Sequence, residues 1–368
     1  MFTATTHTAR LFRPADAAGP AKLCIIAEIG VNHDGRLDRA LQLVRDAAEA
    51  GADAIKLQLF HPKRLLSNQA RLAVYQQNEI QAPDNGADRV HDMLGSLALD
   101  PDDMFAVGQA ARELGLAFIV TAFSLDDVPL LEALQVDGVK VASPDAVNRP
   151  LLERVAALGR PLFISTGTCE LEELTFAAEL LHVHAEAGCL LQCVSSYPTP
   201  VDAAALGGMR AMAQRFRLPV GYSDHTTDPL TGALAVAAGA CVLEKHLTWD
   251  RTAQGPDHAA SFERADFAAY VRLARQAAAM LGPVAKTVQP VEIDVRTVSR
   301  QSVCVRRDLP AGHVLTGDDL TVKRPGTGIP AARLQEVIGR RLRHAVHAND
   351  LLNEDDLTPE NATSRVAS

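Results

Sequence analysis

The stretch Pro219-Val-Gly-Tyr-Ser-Asp-His225, the Ala/Leu-rich run that follows it, and Cys241-Val-Leu-Glu-Lys-His-Leu-Thr248 together decide the fold. Two short runs rich in β-branched and apolar residues flank a segment of helical character. That pattern describes a β-α-β unit with parallel strands. Side chains alternate faces along a strand, so Ser223 shares a face with His225, and Glu244 shares one with His246. Both pairs fall near the carboxyl ends of their strands.

The same rhythm extends from Leu23 to about Leu281. Eight strand candidates can be counted: Leu23 to Gly30, Ala54 to Phe60, Ala117 to Phe123, Gly138 to Ser143, Pro161 to Thr166, Leu190 to Ser195, Pro219 to His225 and Cys241 to Thr248. Helix-like segments follow them, such as Leu37 to Ala50 after the first and Arg264 to Leu281 after the last. Eight units favour closure into a (β/α)₈ TIM barrel. A doubly wound open sheet is the alternative, but no Gly-x-Gly-x-x-Gly opens the first helix as a dinucleotide-binding sheet would want.

The length of 368 residues suits one barrel plus a small appendage. With 47% hydrophobic and 22% charged residues, the chain can bury a large core unaided. A net charge of -9 argues against nucleic acid or an anionic membrane surface as the main partner. An anionic substrate must then be caught by local basic groups. No apolar run reaches membrane-spanning length, and Met1 to Pro20 lacks a secretory pattern, so cytoplasmic residence is expected. The six cysteines form no Cys-x-x-Cys pair and read as reduced packing residues.

The expected organisation is a flexible tail at 1–20, the barrel at 21–282, a linker at 283–297, a small β-rich domain at 298–360 and a second tail at 361–368. The stretch from His61 to Leu99 reads as a long irregular connection, a candidate lid or subunit contact. After Gly282 the helical rhythm stops, and Pro283 and Pro290 punctuate the chain. Within the tail domain Asp308 to Thr321 aligns without gaps to Ala345 to Thr358, which predicts two half-motifs related by a pseudo-twofold. A module that small holds no deep pocket alone and is expected to cover or complete the barrel site.

Polar residues recur on the faces that would line the barrel mouth, where such folds place their sites. They are Glu28, Lys56 and Gln58, Lys140 and Ser143, Ser165, Ser223 and His225, and Glu244 and His246. Two lysines and several hydroxyls, with Gly167 permitting close backbone approach, suit a phosphate and a carboxylate held together, as in phosphoenolpyruvate. The alternative for Lys56 and Lys140 is a structural ion pair with Glu28 or Glu244. His225 and His246 would stand on neighbouring strands, within reach of one divalent cation; each could instead be a hydrogen-bonded core group. Glu28 is a candidate acid or base, or an ion-pair partner of a mouth lysine.

Ala27-Glu-Ile-Gly-Val-Asn-His-Asp-Gly35, Lys56-Leu-Gln58, Lys140-Val-Ala-Ser143, Ile164-Ser-Thr-Gly167, Tyr197-Pro-Thr-Pro200, Gly221-Tyr-Ser-Asp-His-Thr226, Glu244-Lys-His246 and Gly255-Pro-Asp-His258 resemble, in order, the bacterial N-acetylneuraminate (sialic acid) synthases. The tail resembles their antifreeze-like (SAF, β-clip) domain, and the likeness runs from about Leu23 to Leu357. The resemblance implies a carbon–carbon bond-forming transferase that adds C3 of phosphoenolpyruvate to the aldehyde of an open-chain N-acetylhexosamine, N-acetylmannosamine by default. Water then attacks C2 and phosphate leaves by C–O cleavage. It implies His225 and His246 as ligands of manganese or magnesium, and Lys56, Thr121, Lys140, Ser143, Ser165, Ser195 and Ser223 as the phosphoenolpyruvate cradle. It further implies Glu28 as the catalytic carboxylate, Gln58, Asn85, Tyr197 and Asp257 around the sugar, and Asp145 hydrogen-bonding the acceptor. Lys323-Arg-Pro-Gly326 resembles the segment whose arginine, here Arg324, reaches the sugar in the partner subunit, implying a domain-swapped homodimer. Three positions depart from the family pattern: Pro144 replaces a glycine, Thr168 a methionine and Ala205 an asparagine. These departures bear on the sugar.

Alternative readings are a synthase for a legionaminate- or pseudaminate-type product from a diacetamido-dideoxy hexose, a Schiff-base aldolase using Lys56 or Lys140, and a non-catalytic sugar-binding protein. Borohydride trapping with a keto acid marks the aldolase, and loss of activity with chelator marks the synthase.

Overall fold

The computed structural model describes residues 11–14, 22–71, 87–184 and 188–359. Eight parallel strands close into a barrel in sequence order: β1 (Cys24–Gly30), β2 (Ala54–Leu59), β3 (Ala117–Ala122), β4 (Gly138–Val141), β5 (Leu162–Ser165), β6 (Gly188–Cys193), β7 (Val220–Asp224) and β8 (Val242–His246). Closure comes from β1 pairing with both β2 and β8, with Glu28 opposite Lys56 on one side and His246 on the other. The open-sheet alternative is thereby excluded.

Alternation along the strands sorts the barrel into two environments. Outward residues such as Ile25, Ile55, Val120, Ile164 and Leu243 join helix residues such as Leu43, Leu151 and Phe267 in the main core. Inside the barrel an apolar floor is built from Ile26, Ile119, Phe163, Leu191 and Val242 with Cys24, Cys189 and Cys241. Phe12 packs on Phe163 there, ring centroids 5.5 Å apart. Cys24, Cys189 and Cys241 are free and fully buried, as their apolar surroundings predict. Above this floor the inward positions turn polar, and the site begins.

The described parts of the connection after β2 hold helical structure where an irregular stretch was expected. They carry the short helix Pro62–Leu65 and the helix Ala87–Leu97. The second follows from spacing: Val90, Met93, Leu94 and Leu97 recur at three- and four-residue intervals, and the last three pack with Val31, Phe60 and Phe123. The polar tip of this connection falls mostly outside the described residues.

The chain divides into two compact units, Met1–Ala285 and Lys286–Ser368. In the second, Pro290–Glu292 forms a capped turn that leads into the helix Ile293–Ser299, so part of the expected linker is helical. An antiparallel pair, β9 (Ser302–Val305) and β10 (Leu320–Lys323), packs into a separate apolar core with Leu309, Leu315, Val346 and Leu352. The internal repeat is visible in detail. Leu309 and its counterpart Val346 exchange backbone hydrogen bonds of 2.9 and 3.0 Å. Thr316 and Asp319 form a capping box, as do their counterparts Asn353 and Asp356. Gly312 and its counterpart Asn349 both take left-handed backbone, at φ 80° and 72°.

Candidate active site

A cavity of about 480 Å³ opens at the carboxyl ends of the strands, and most of the polar residues expected there line it. Lys56, Gln58, Thr121, Lys140, Ser143, Ser165, Ser195, Tyr197, Ser223, His225, His246 and Asp257 all contribute. Glu28 lies beside Lys56, wholly buried.

At the base, Lys56 pairs with Glu28 and donates to Thr121 Oγ1 at 2.9 Å. Gln58 Nε2 donates to Glu28 Oε1 at 3.2 Å. The carboxylate folds back over Gly30, where a Cβ would lie 2.1 Å from Glu28 Oε1. A side chain at Gly30 would displace the carboxylate, and φ of 28° suits glycine as well. Burial pushes the Glu28 carboxyl up to about 7, against the pull of Lys56. Burial also works against the charge of Lys56, but Glu244 and Glu28 outweigh it and raise this ammonium above its usual range. Lys140 goes the other way, lowered by burial despite Glu244 at 3.8 Å. Glu244, lowered by its lysine neighbours against burial, also accepts from Ser223 Oγ at 3.0 Å. The ion pairs considered from sequence are thus present, and Lys56, Lys140 and Glu244 line the cavity.

Hydroxyls complete the basic patch. Gly167 N donates to Ser143 Oγ at 3.0 Å, and a Cβ on Gly167 would lie 2.4 Å from Ser195 Oγ and 2.9 Å from Ser143 Oγ. Ser165 Oγ is buried without a hydrogen-bond partner. A buried hydroxyl in that state, in a cavity that two lysines also line, is suited to an incoming oxyanion.

His225 and His246 face one another, ring centroids 5.3 Å apart. His225 Nδ1 lies 3.0 Å from the carbonyl of Val194, leaving Nε2 for a ligand. Tyr197 stacks on this imidazole at 4.0 Å, in a loop tied down by Thr199 N donating to the carbonyl of His225 at 2.9 Å. Burial lowers His225 to about 4 and His246 well below the usual range, so both rings are neutral. His246 Nδ1 is buried without a hydrogen bond and lies 3.6 Å from Asp257 Oδ2. Asp257 itself is pushed up by burial to about 6. Among the described residues no group of three or more His, Cys, Asp or Glu is arranged to hold a metal. Two neutral imidazoles, one with an orphaned nitrogen, nevertheless fit a divalent cation that would take its remaining ligands from water and substrate oxygens.

Three expected residues stand apart. Asp145 accepts from Asn148 Nδ2 at 2.9 Å and is not among the cavity-lining residues; burial raises its carboxyl. Pro144, beside it, does line the cavity. Arg324 is exposed in the second unit, after β10. Asn85 lies outside the described residues.

Other groups join the site. Glu244, expected at the mouth on the face it shares with His246 and as a partner for a lysine, does both: it lines the cavity and pairs with Lys140. Cys193 follows from the same alternation on β6, its thiol 3.8 Å from His225 Nδ1. An apolar wall of Val31, Phe60, Leu65, Met93, Leu94 and Phe123 depends on how the connection after β2 packs, which no local pattern encodes.

The NeuB family matches residues 43–286, and the SAF domain matches residues 300–358. The chain is 37% identical over 340 residues to an N,N'-diacetyllegionaminic acid synthase of Legionella pneumophila, covering 91% of this chain and 94% of that protein. It is 34% identical over 339 residues to an N,N'-diacetyllegionaminic acid synthase of Campylobacter jejuni, covering 90% and 99%. Among solved structures, the sialic acid synthetase of Leptospira borgpetersenii, crystallised with citrate, matches at a TM-score of 0.65 and 29% identity, covering 74% of this chain and 90% of that one. No helix among the described residues is long and apolar enough to cross a membrane. Matches of this extent, on a closed barrel with a basic pocket in its mouth, make the chain an enzyme of the NeuB family of sialic-acid-type sugar acid synthases, with a SAF domain following its barrel in sequence.

Proposed function

We propose that this enzyme condenses phosphoenolpyruvate with an open-chain diacetamido-dideoxy hexose and water, giving a nine-carbon 2-keto-3-deoxy sugar acid of the legionaminate type and inorganic phosphate. The observation that carries the reading is one cavity holding two buried lysines at its base and two facing neutral imidazoles at its mouth.

Lys56 and Lys140, with Thr121, Ser143, Ser165, Ser195 and Ser223, hold the phosphate and carboxylate of phosphoenolpyruvate; ammonium and hydroxyl donors suit those oxyanions. A divalent cation, manganese or magnesium, held by His225 and His246 would supply Lewis-acid polarisation of the acceptor carbonyl. C3 of the enol phosphate forms the new bond to the sugar's C1, whose oxygen takes a proton. Water then adds at C2 and gives up a proton, and the C2–O bond breaks as phosphate leaves. Glu28 is the residue for the water proton: it is buried, balanced near neutrality, and oriented by Lys56 and Gln58. Tyr197 and Asp257 flank the acceptor side of the pocket.

A doubly acetylated acceptor is supported over the N-acetylmannosamine first expected. Both relatives described above are named for a diacetylated product. Phosphoenolpyruvate contains no nitrogen, so both acetamido groups of such a product must arrive on the sugar. Acetyl methyls and deoxy carbons also suit the apolar wall of Phe60, Leu65, Met93 and Phe123. The same reading includes cytoplasmic residence, and a homodimer in which Arg324 of one subunit reaches the sugar in the other's barrel.

The test is phosphate release from phosphoenolpyruvate with a panel of mono- and diacetylated hexosamines, in enzyme stripped by chelator and then resupplied with manganese or magnesium. Release only with metal, and fastest with a diacetamido acceptor, is expected. Turnover unaffected by chelation removes the metal assignment. Preference for N-acetylmannosamine restores the simpler acceptor.

A further inference from the structure

Lys245 occupies an odd place for a charge. Its neighbours on β8, Glu244 and His246, point into the barrel, so Lys245 points outward into the layer between strands and helices. It is fully buried there, with Leu243 and Leu247 on the same face of the chain. Its ammonium lies 4.3 Å from the centre of the Phe262 ring and 4.0 Å from Asp224 Oδ1. Three hydrogen bonds satisfy it, all to backbone carbonyls: Asp224 at 3.3 Å, Thr226, and Ala260 at 3.2 Å. An ammonium has three donors, and all are used.

The identity of those carbonyls matters. Asp224 and Thr226 are the residues immediately before and after His225. Ala260 ends the turn His258–Ala260, which directly follows Asp257. Lys245 itself immediately precedes His246, and its Cα is in register with that of Asp224. One side chain therefore ties together the backbone around His225, His246 and Asp257, from the side away from the cavity.

We propose that Lys245 is a positioning residue that fixes the spacing of the two imidazoles and of Asp257, and so sets the affinity of the site for its divalent cation. This rests on the metal reading given above. A simple folding staple would account for the burial, but it has no need to take both carbonyls that flank one imidazole. An apolar pair in place of Lys245 and Asp224 would fill the same layer without desolvating charges.

The experiment measures Mn²⁺ binding to the substrate-free protein by the electron paramagnetic resonance signal of free Mn²⁺, alongside thermal melting. Lys245→Met is compared with wild type and with Leu151→Ala, a core truncation in the helix Arg149–Ala156 that serves as a stability control. The expected result is that Lys245→Met weakens Mn²⁺ binding roughly tenfold or more, while Leu151→Ala, at an equal or larger fall in Tm, binds like wild type. Should Lys245→Met fail to fold, Lys245→Arg carries the same expectation, because a planar fork cannot serve three carbonyls converging on one point. Binding by the folded variant that matches wild type, or an equal loss in Leu151→Ala, overturns the proposal. Absence of Mn²⁺ binding by the wild type overturns the metal assignment itself, and this proposal falls with it; that outcome is read directly from the wild-type titration.

Discussion

Lys140 Nζ stands 3.8 Å from Glu244 Oε1, with both side chains almost wholly removed from solvent. The pair belongs to a set in which Lys56 and Lys140 are balanced by Glu28 and Glu244, so the cavity carries little net charge until an anion enters. Lys140→Met would leave Glu244 buried beside one fewer cation. Breaking a buried pair in this way costs about 3 kcal/mol or more. The expected outcome is a clear fall in Tm and a rise in KM for phosphoenolpyruvate that exceeds any rise for the sugar. Equal effects on both substrates would place Lys140 outside the phosphate cradle.

Gly167 gives a sharper steric test. Its amide donates to Ser143 Oγ, and a methyl group there would meet both Ser143 Oγ and Ser195 Oγ well inside van der Waals contact. Gly167→Ala must push those hydroxyls away, and misplacement of binding groups by about 1 Å costs roughly a hundredfold in turnover. The loss should show in kcat/KM for phosphoenolpyruvate, with near-native circular dichroism. Normal kinetics would mean that the two serines do not bind the substrate.

Arg324 is exposed and sits in the second unit, so its truncation should cost little stability. If its guanidinium reaches the sugar of a partner barrel, Arg324→Ala raises KM for the sugar and leaves KM for phosphoenolpyruvate unchanged. Dimer mass by light scattering should also be unchanged. A parallel fall in both affinities, with dissociation, would assign the segment to assembly instead.

The barrel and the floor of its site were legible in sequence because both depend on a period of two. Once β7 and β8 are recognised, the faces carrying Ser223, His225, Glu244 and His246 follow, and their convergence follows from closure. The repeat in the second unit was legible for a similar reason: a capping box and a left-handed turn recur at equivalent positions. What sequence did not reveal depends on packing between distant segments. The apolar wall needs the helix Ala87–Leu97 laid against Phe60 and Phe123, and the setting of Asp145 depends on where Asn148 points. An outward polar residue such as Lys245 has no signal in the alternation, because its partners are backbone carbonyls at the end of β7, just after it and in the turn His258–Ala260.

His33 supplies a pH test of stability that is independent of substrates. Its ring is buried, Nδ1 accepts from Gly35 N at 3.1 Å, and burial lowers it to about 4, with a bond to the backbone of Gly30 opposing. In the unfolded chain the imidazole titrates near its ordinary value of about 6.5. Between those values the unfolded state binds the extra proton, so stability is full above about 6.5 and falls as pH drops towards 4. The share due to this one ring amounts to about 3 kcal/mol at most. His33→Gln, whatever its stability at pH 7.5, should lose less Tm than wild type on going to pH 5. Parallel pH profiles would show that His33 is not held neutral.

Ala205, one of the departures from the family pattern, carries a definite physical cost. It is exposed and holds φ at 51°, the left-handed region, in the turn before the helix Gly207–Phe216. Its carbonyl accepts from Gly208 N at 3.0 Å, so the turn is fixed from both directions. A left-handed alanine costs roughly 1–2 kcal/mol, whereas asparagine, the residue that the sialic acid synthases often carry there, enters this region more readily. Ala205→Asn should therefore raise Tm by about 1–3 °C with kcat and both KM values unchanged, since the side chain does not line the cavity. Ala205→Gly should gain less, because glycine also loosens the unfolded chain. A fall in Tm for both variants would mean that the alanine methyl makes a contact worth more than the backbone strain it imposes.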